Sequence, residues 1–289
     1  MHLRRFALMV LTLGPALALR AEPALVAPTQ ALANLPYKQG AALTGYEKER
    51  CKLDLYLPQG DKDFATLVWF HGGGLNAGNK EGKDTIKIAQ SLAAAGIAVA
   101  VPNYRLSPKV HFPAYIEDAA AACAWTQVHI GEHGGSAKKL FIGGHSAGGY
   151  LALMLGMDTH YLADLGLQPS AIAGFIPVSG QTMTHYTVRQ ERGIGKFTVT
   201  ADAAAPVYFA RKDTRPFLVL YADHDMAARA EENAYFVALM KGAGNQVTTG
   251  QLITDRTHGT VATKIAEKGD PGRKAILSFI QSVTPTKSL

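Results

Sequence analysis

The sequence predicts an α/β protein with a mostly parallel sheet covered by helices on both faces. Short apolar runs alternate with helical stretches along the chain, at the spacing of βαβ units. Several of these runs, such as ATLVWF at 65–70, are apolar without interruption, as strands buried on both faces are. The chain has 289 residues, of which 47% are hydrophobic, and this is enough for one large core.

The individual elements follow from local patterns. KLDLYLP (52–58) alternates apolar and polar residues and indicates an exposed or edge strand, after an Ala- and Pro-rich lead-in over 22–40 that we expect to be loose. Further strands are predicted over 65–70, 96–105, 139–144, 171–180, 217–223 and 246–253. Helices are predicted over 84–95, 115–130, 149–157, 231–244 and 271–283. The long mixed segment 181–213 breaks the alternation and is predicted to form a small cap over the sheet.

The first 21 residues have the composition of a secretory signal peptide. A positive start precedes an apolar run over 6–13, and small residues with A-x-A spacing follow. The run is too short to span a membrane, so no stable membrane anchor is predicted. We expect cleavage after Ala18 or Ala21, export to the periplasm or the medium, and one globular domain over 22–289.

Charge and cysteine content exclude several function classes. Cleavage of residues 1–21 reduces the 29 basic residues to 26 against 23 acidic ones, and this net charge of +3, with scattered Lys and Arg, excludes nucleic acid as the partner. Cys51 and Cys123 are expected to be separate thiols, and neither has metal-ligand spacing. The glycines at 72–74 lack the spacing of a phosphate loop, so nucleotide binding is rejected. No cofactor or metal ion is predicted.

The stretch FIGGHSAGGY (141–150) places one serine among four glycines between a predicted buried strand and an apolar helix. The chain must turn from strand to helix within about three residues, which crowds the positions on either side of the serine. The pattern G-x-S-x-G with Ser146 at its apex is a nucleophile elbow, which lifts the hydroxyl clear of the sheet. A glycine-rich packing turn would explain the glycines, but it would leave the second glycine motif unexplained.

That second motif is HGGG at 71–74, directly after the apolar run 65–70. Acyl transfer needs hydrogen-bond donors directed at the oxygen that becomes negative. Consecutive glycines let backbone N–H groups converge, and we assign these donors to Gly73, Gly74 and Ala147. His71 is expected to shape the loop by hydrogen bonding rather than to transfer protons.

Together these motifs make the chain resemble an α/β-hydrolase. It is similar to the branch with an HGGG oxyanion loop, which includes hormone-sensitive-lipase-like esterases and feruloyl-esterase-like acyl esterases. HGGG (71–74), NYRLSP (103–108), GHSAGG (144–149) and an acid–histidine tail occur in order, and the similarity covers roughly residues 45–283. The resemblance implies an eight-stranded, mostly parallel sheet and a Ser-Asp-His triad in that chain order.

The base and the acid are sought after the elbow. His258, in TDRTHGT, follows the last predicted strand and matches the histidine position of the family, ahead of every other histidine. Asp223 and Asp225 both follow FLVLYAD; the family spacing favours Asp225 as the residue that orients His258, and leaves Asp223 a turn role. In the helix 115–130, Glu117 and Asp118 are expected to stabilise the helix dipole rather than to act in catalysis.

The predicted function is therefore a serine carboxylesterase that cleaves a small-molecule ester through an acyl-enzyme. Two alternatives stay open. An arylformamidase-like amide hydrolase would use the same triad, and a hydrolase-fold protein without catalysis would serve as a binding module. The sequence does not identify the acyl or alcohol group.

Overall fold

A computed structural model describes residues 30–60, 62–168 and 171–284 of the chain. These residues form eight strands in one sheet: β1 (Gln30–Pro36), β2 (Lys52–Leu57), β3 (Phe64–Phe70), β4 (Ala98–Pro102), β5 (Gly135–His145), β6 (Ile172–Val178), β7 (Phe217–His224) and β8 (Thr248–Thr257). The strand order is β1-β2-β4-β3-β5-β6-β7-β8. The pairs β1–β2 and β2–β4 are antiparallel, and β3 to β8 run parallel. The prediction of an eight-stranded, mostly parallel sheet is confirmed.

Helices connect the strands and cover both faces of the sheet. They are α1 (Gly45–Arg50), α2 (Lys83–Ala93), α3 (Ala114–His129), α4 (Ala147–Met157), α5 (His160–Ala163), α6 (Tyr186–Glu191), α7 (Arg229–Gly242), α8 (Thr260–Thr263) and α9 (Pro271–Val283). Single 3₁₀ turns occur at Ile130–His133, Pro206–Phe209 and Lys264–Ala266. No helix of the described ranges has the length and apolarity that a membrane crossing requires.

Strand β3 shows how the sheet divides the core. All seven of its residues are buried, because consecutive side chains point to opposite faces and both faces are covered. Val68 and Phe70 pack into the apolar cluster that contains the buried residues of α3, α4 and α7. Leu67 and Trp69 pack into the opposite cluster, with residues of α2, α8 and α9. The uninterrupted apolar run is thus the pattern of a central parallel strand.

Two sequence predictions at the antiparallel end of the sheet are wrong. The lead-in over 22–40 contains a strand, β1, and this strand pairs with β2. KLDLYLP therefore lies inside the sheet, between β1 and β4, with five of the six residues of β2 buried. The alternation in KLDLYLP misleads because Asp54, a polar position, is buried and satisfied: it accepts the Asn34 N–H and pairs with Lys80.

The remaining predictions concern the two cysteines, segment 181–213 and residues 1–21. Cys51 and Cys123 are both buried and unpaired, as the sequence indicates. Segment 181–213 lies between β6 and β7 and contains α6 and one 3₁₀ turn. The predicted signal peptide, residues 1–21, lies outside the described residues.

Candidate active site

Ser146 occupies the sharp turn between β5 and α4. The strand ends at His145 and the helix begins at Ala147, so this single residue makes the turn, with φ 56° and ψ −116°. A Cβ at Gly144 or Gly148 would lie 2.6 or 2.1 Å from the carbonyl oxygen of Phe70. Only glycine fits at these two positions, because the end of β3 and the first turn of α4 are in contact. The side chain of Ser146 is therefore presented at the carboxyl edge of the sheet.

His258 follows β8 and reaches the serine. Its Nε2 lies 2.8 Å from the Ser146 Oγ. A hydrogen bond from His145 also fixes the main chain of His258: the Nε2 of His145 donates to the carbonyl oxygen of His258 at 2.6 Å. Burial lowers the pKa of His145 to about 3, so its imidazole is neutral and its single N–H is used in this bond.

Asp225 follows β7 and contacts the other side of the His258 ring. Its Oδ1 lies 2.5 Å from His258 Nδ1, and its Oδ2 accepts the Ser179 hydroxyl, also at 2.5 Å. Burial alone would raise the pKa of Asp225, but the hydrogen bonds from His258 and Ser179 outweigh it and lower the pKa. The carboxylate is thus ionised and accepts Nδ1–H, which leaves the Nε2 lone pair facing the serine hydroxyl.

Asp223, the alternative acid, lies outside this arrangement. Its two carboxylate oxygens accept the backbone N–H groups of Asp255 and Arg256, at 2.9 and 3.0 Å. These hydrogen bonds lower the pKa of Asp223 and tie the end of β7 to β8. Asp223 therefore has the loop-bonding role expected for it, and Asp225 is the acid that contacts His258.

The HGGG loop lies against the serine. A Cβ at Gly72 would be 3.4 Å from the Ser146 Cβ, and Gly73 and Gly74 adopt φ values of 117° and 63°. Across the described ranges, no acceptor receives the N–H of Gly73 or Gly74. Ala147 is the first residue of α4, and its N–H has no acceptor within the helix. Three unpaired backbone donors thus belong to segments that adjoin Ser146.

Hydrogen bonds and one ring-stacking contact hold the HGGG loop in place. His71 donates from Nδ1 to the Gly72 carbonyl at 2.6 Å and stacks on Tyr104 at 4.4 Å between ring centroids. The Tyr104 hydroxyl donates to the His71 carbonyl at 2.9 Å, and Ser107 N–H donates to the Leu75 carbonyl at 2.9 Å. Burial lowers the pKa of His71 to about 4, so the ring is neutral and supports the loop through hydrogen bonds.

The NYRLSP segment is anchored by an ion pair between Arg105 and Asp118. The sequence had suggested a different role for Asp118. Asp118 is fully buried and accepts two hydrogen bonds from the Arg105 guanidinium, both at 2.8 Å, and one from Lys38 Nζ at 2.5 Å. The expectation that Asp118 serves the helix dipole is therefore wrong, since its charge is neutralised by these partners. Glu117 is exposed in the first turn of α3, where an acid suits the dipole.

Sequence reasoning missed three supporting residues. Ser179 has φ 48° and holds Asp225, and Arg229, which is buried, donates to the Ser179 carbonyl at 2.8 Å. His145 was recognised only as part of the elbow motif. A signal existed for Ser179 alone, as a small polar residue near the end of the predicted strand 171–180. Nothing local distinguishes Arg229 from other helix residues.

His185, the residue before α6, has a local role. It is buried, and its Nδ1 accepts the N–H of Thr187 at 3.2 Å, capping α6. Burial, together with the charges of Arg229 and Arg189, holds its pKa well below the usual range of histidine. The described residues contain no cluster of three or more His, Cys, Asp or Glu side chains that could hold a metal ion.

Family models match both halves of the chain. Residues 53–166, which include the HGGG loop and the elbow, match the BD-FAE model. Residues 114–283, more than half of the chain, match the prolyl oligopeptidase family. This second match includes the positions of Ser146, Asp225 and His258.

Curated relatives and solved structures are esterases by name. The chain is 30% identical over 137 residues to carboxylesterase NlhH of Mycobacterium tuberculosis, which covers 47% of this chain and 39% of that protein. It is 28% identical over 197 residues to the probable carboxylic ester hydrolase LipM of the same species, covering 62% and 46%. The chain thus spans less than half the length of these relatives. The structure of a truncated carbohydrate esterase from gut microbiota superposes with a TM-score of 0.73 at 20% identity, covering 91% of this chain and 99% of that one.

Proposed function

We propose that this chain, which belongs to the prolyl oligopeptidase family and has the α/β-hydrolase fold, is a serine hydrolase that cleaves carboxylic esters through an acyl-enzyme. One observation carries the proposal: Ser146, His258 and Asp225 form a continuous hydrogen-bonded chain, with distances of 2.8 and 2.5 Å. Such a chain of nucleophile, base and orienting acid is the arrangement that activates a serine hydroxyl.

The reaction follows from the bonds these side chains make. The Ser146 Oγ attacks the ester carbonyl carbon while its proton passes to His258 Nε2, and Asp225 stabilises the imidazolium that forms. The carbonyl oxygen becomes negative and is bound by the N–H groups of Gly73, Gly74 and Ala147. His258 then protonates the leaving alcohol, and water repeats the sequence on the acyl-enzyme. These roles require no metal ion or cofactor.

Ester substrates are favoured over amides by the curated relatives, which are named carboxylesterase and carboxylic ester hydrolase. Amide cleavage is the second candidate, and the match of residues 114–283 to the prolyl oligopeptidase family supports it. A binding module without catalysis is disfavoured, because a role in binding alone does not require a serine, a histidine and a carboxylate at hydrogen-bond distances.

We further propose that residues 1–21 direct export and that the substrate is a small molecule. The composition of that segment supports the first point. The charge balance of the remaining chain, which resembles no nucleic-acid-binding protein, supports the second. N-terminal sequencing of exported protein tests the cleavage site, and an intact Met1 would contradict it.

The test of the activity is labelling and turnover by the full chain and by Ser146→Ala. We expect a fluorophosphonate probe to add to Ser146 alone, as read by peptide mass spectrometry, and Ser146→Ala to lose all but a trace of p-nitrophenyl ester hydrolysis. Ser282→Ala, on the exposed face of α9, is the matched control and should retain both. A panel of p-nitrophenyl esters and a formanilide distinguishes ester from amide preference. Near-full activity of Ser146→Ala would refute the proposal.

A further inference from the structure

A cavity of about 460 Å³ lies at the edge of the sheet opposite Ser146. It is lined by the last turn of α4 and by the segments that lead into β7 and β8, whereas Ser146 follows the carboxyl end of β5. The volume is within the range of about 300–1,000 Å³ that small-molecule sites have. No residue that lines this cavity takes part in the proposed cleavage of esters, so the cavity is separate from the catalytic machinery.

Hydrogen bonds fix the walls of this cavity. The Asn245 side chain, which is buried, donates to the Lys212 carbonyl at 2.8 Å and to the Thr214 hydroxyl at 2.7 Å, and so ties the two lining segments together. The Arg211 guanidinium donates to carbonyls in the last turn of α4 and to the carbonyl of Asp213. The cavity therefore has a defined shape, and Arg211 serves the end of a helix, where a cation is favourable.

Arg215 has donors that the protein does not use. Its Nε donates to the Ile172 carbonyl at 2.7 Å, and this bond orients the guanidinium. Among the described residues, neither Nη1 nor Nη2 of Arg215 has a hydrogen-bond or ion-pair partner, and the same holds for Lys212 Nζ. The lining contains one carboxylate, that of Asp213, which is exposed and forms no ion pair with these cations. The two Nη atoms of Arg215 thus form a fork that matches the two oxygens of a carboxylate ligand.

Apolar side chains line the cavity beside these cations. Leu155 and Phe175 are buried there, and Phe175 stacks on Phe217 at 4.8 Å between ring centroids. Val247 also lines the cavity and is 41% exposed. Apolar surface next to unpaired positive charge favours a ligand that has a charged end and a hydrocarbon part, because such a ligand removes the apolar surface from water.

We propose that this cavity binds a monocarboxylate with a hydrocarbon tail. The carboxylate accepts hydrogen bonds from the Arg215 fork and is attracted by Lys212, and the tail lies over Leu155, Phe175 and Val247. Helices α4 and α7 end beside the cavity, and the partial negative charge of helix C-termini disfavours ligands with several negative charges. The inference does not depend on the proposed esterase function, since the cavity shares no residue with the triad.

Titration calorimetry of the full chain with sodium octanoate tests the proposal. The chain is first labelled at Ser146 with the fluorophosphonate, so that octanoate does not occupy the space beside the triad. We expect octanoate to bind one site per chain and acetate to bind at least about tenfold more weakly, because acetate lacks the tail. Octanol, which has the tail but no charge, should also bind at least about tenfold more weakly.

Substitutions locate the binding. Arg215→Gln should weaken octanoate binding roughly 10- to 100-fold, and Arg215→Lys should restore part of the affinity, because it keeps the charge but loses the fork. Lys212→Gln should weaken binding about two- to fivefold, as expected for an exposed charge. Lys87→Gln is the matched control, since Lys87 is an exposed lysine of α2 whose loss changes the net charge equally. It should leave the affinity unchanged.

Three results would overturn the proposal: no binding of octanoate up to about 10 mM, acetate binding as tight as octanoate binding, or wild-type affinity in both Arg215→Gln and Lys212→Gln. If Arg215→Gln does not fold, Arg215→Lys and Lys212→Gln decide in its place. A chain that does not react with the fluorophosphonate would contradict the esterase proposal instead, and titration of the unlabelled variants would still test this cavity.

Discussion

Replacing Gly148 with alanine tests whether the elbow depends on close backbone contact. A Cβ at this position would lie 2.1 Å from the Phe70 carbonyl oxygen, 2.6 Å from the Phe70 carbonyl carbon and 2.9 Å from the His71 carbonyl oxygen. Ordinary contacts begin near 3.4 Å, so the end of β3 and the start of α4 must separate by roughly 1 Å. No flexible side chain is available to absorb this movement, since all three atoms belong to the main chain.

The cost is therefore above the usual range for an added methyl group in a packed core, which is about 1–3 kcal/mol. We expect Gly148→Ala to lower the free energy of unfolding by at least about 3 kcal/mol, out of a total of about 5–15 kcal/mol for a typical domain. Ester hydrolysis should fall at least tenfold in the protein that remains folded, because the separation moves the HGGG loop away from Ser146.

Urea unfolding followed by tryptophan fluorescence measures the stability, and kcat/KM for p-nitrophenyl acetate measures the site. Gly242→Ala is the matched control, since its Cβ at the end of α7 would meet nothing within 4 Å. This change should be neutral or slightly stabilising. If Gly148→Ala unfolds within 0.5 kcal/mol of wild type, on the order of the error of such measurements, and keeps its activity, the argument from backbone contact is wrong.

Two further predictions concern the acid and the buried histidines. Asp225→Asn should lower kcat/KM about 10³- to 10⁴-fold, because the amide no longer enforces the His258 tautomer. Asp223→Asn is the comparison and should keep kcat/KM within an order of magnitude of wild type. Equal effects of the two substitutions would contradict the assignment of Asp225. His71 and His145 have pKa values of about 4 and about 3 in the folded chain, so below pH ~6.5 the unfolded chain binds protons that the folded chain does not. Stability should fall between pH 6.5 and 4 by up to about 1.4 kcal/mol per pH unit for each ring. Urea unfolding across this range measures the decrease, and a flat profile would contradict it.

The parallel half of the fold could be predicted from sequence because its strands are buried on both faces. ATLVWF and the run before the elbow have the uninterrupted apolar composition that is typical of a central strand, and the structure places them in β3 and β5. Strand β1 was missed because QALANLP has little apolar periodicity, and its strand conformation depends on pairing with β2. Because β1 was missed, KLDLYLP was wrongly predicted to be an edge strand, whereas β1 pairs with its outer side.

The residues of the site also divide into those with a local sequence pattern and those whose role depends on partners distant in the chain. Ser146 and the HGGG loop are local patterns, because strained turns and converging N–H groups need glycine at fixed positions. Asp118 was misassigned because its partners, Arg105 and Lys38, are 13 and 80 residues away in the chain.

The side chains of Ser146, Asp225 and His258 are held by a closed ring of hydrogen bonds rather than by independent supports. Ser146 N–H donates to the carbonyl of the residue before Ser179, and the Ser179 hydroxyl holds Asp225. Asp225 accepts from His258, and the carbonyl of His258 accepts from His145, which adjoins Ser146. His258 is therefore positioned by the sequence neighbour of Ser146, whereas Ser146 and Asp225 are both tied to the end of β6, through Val178 and Ser179. Helix α6 lies outside this ring and contacts the HGGG loop through the Thr187 hydroxyl, which donates to the Gly74 carbonyl.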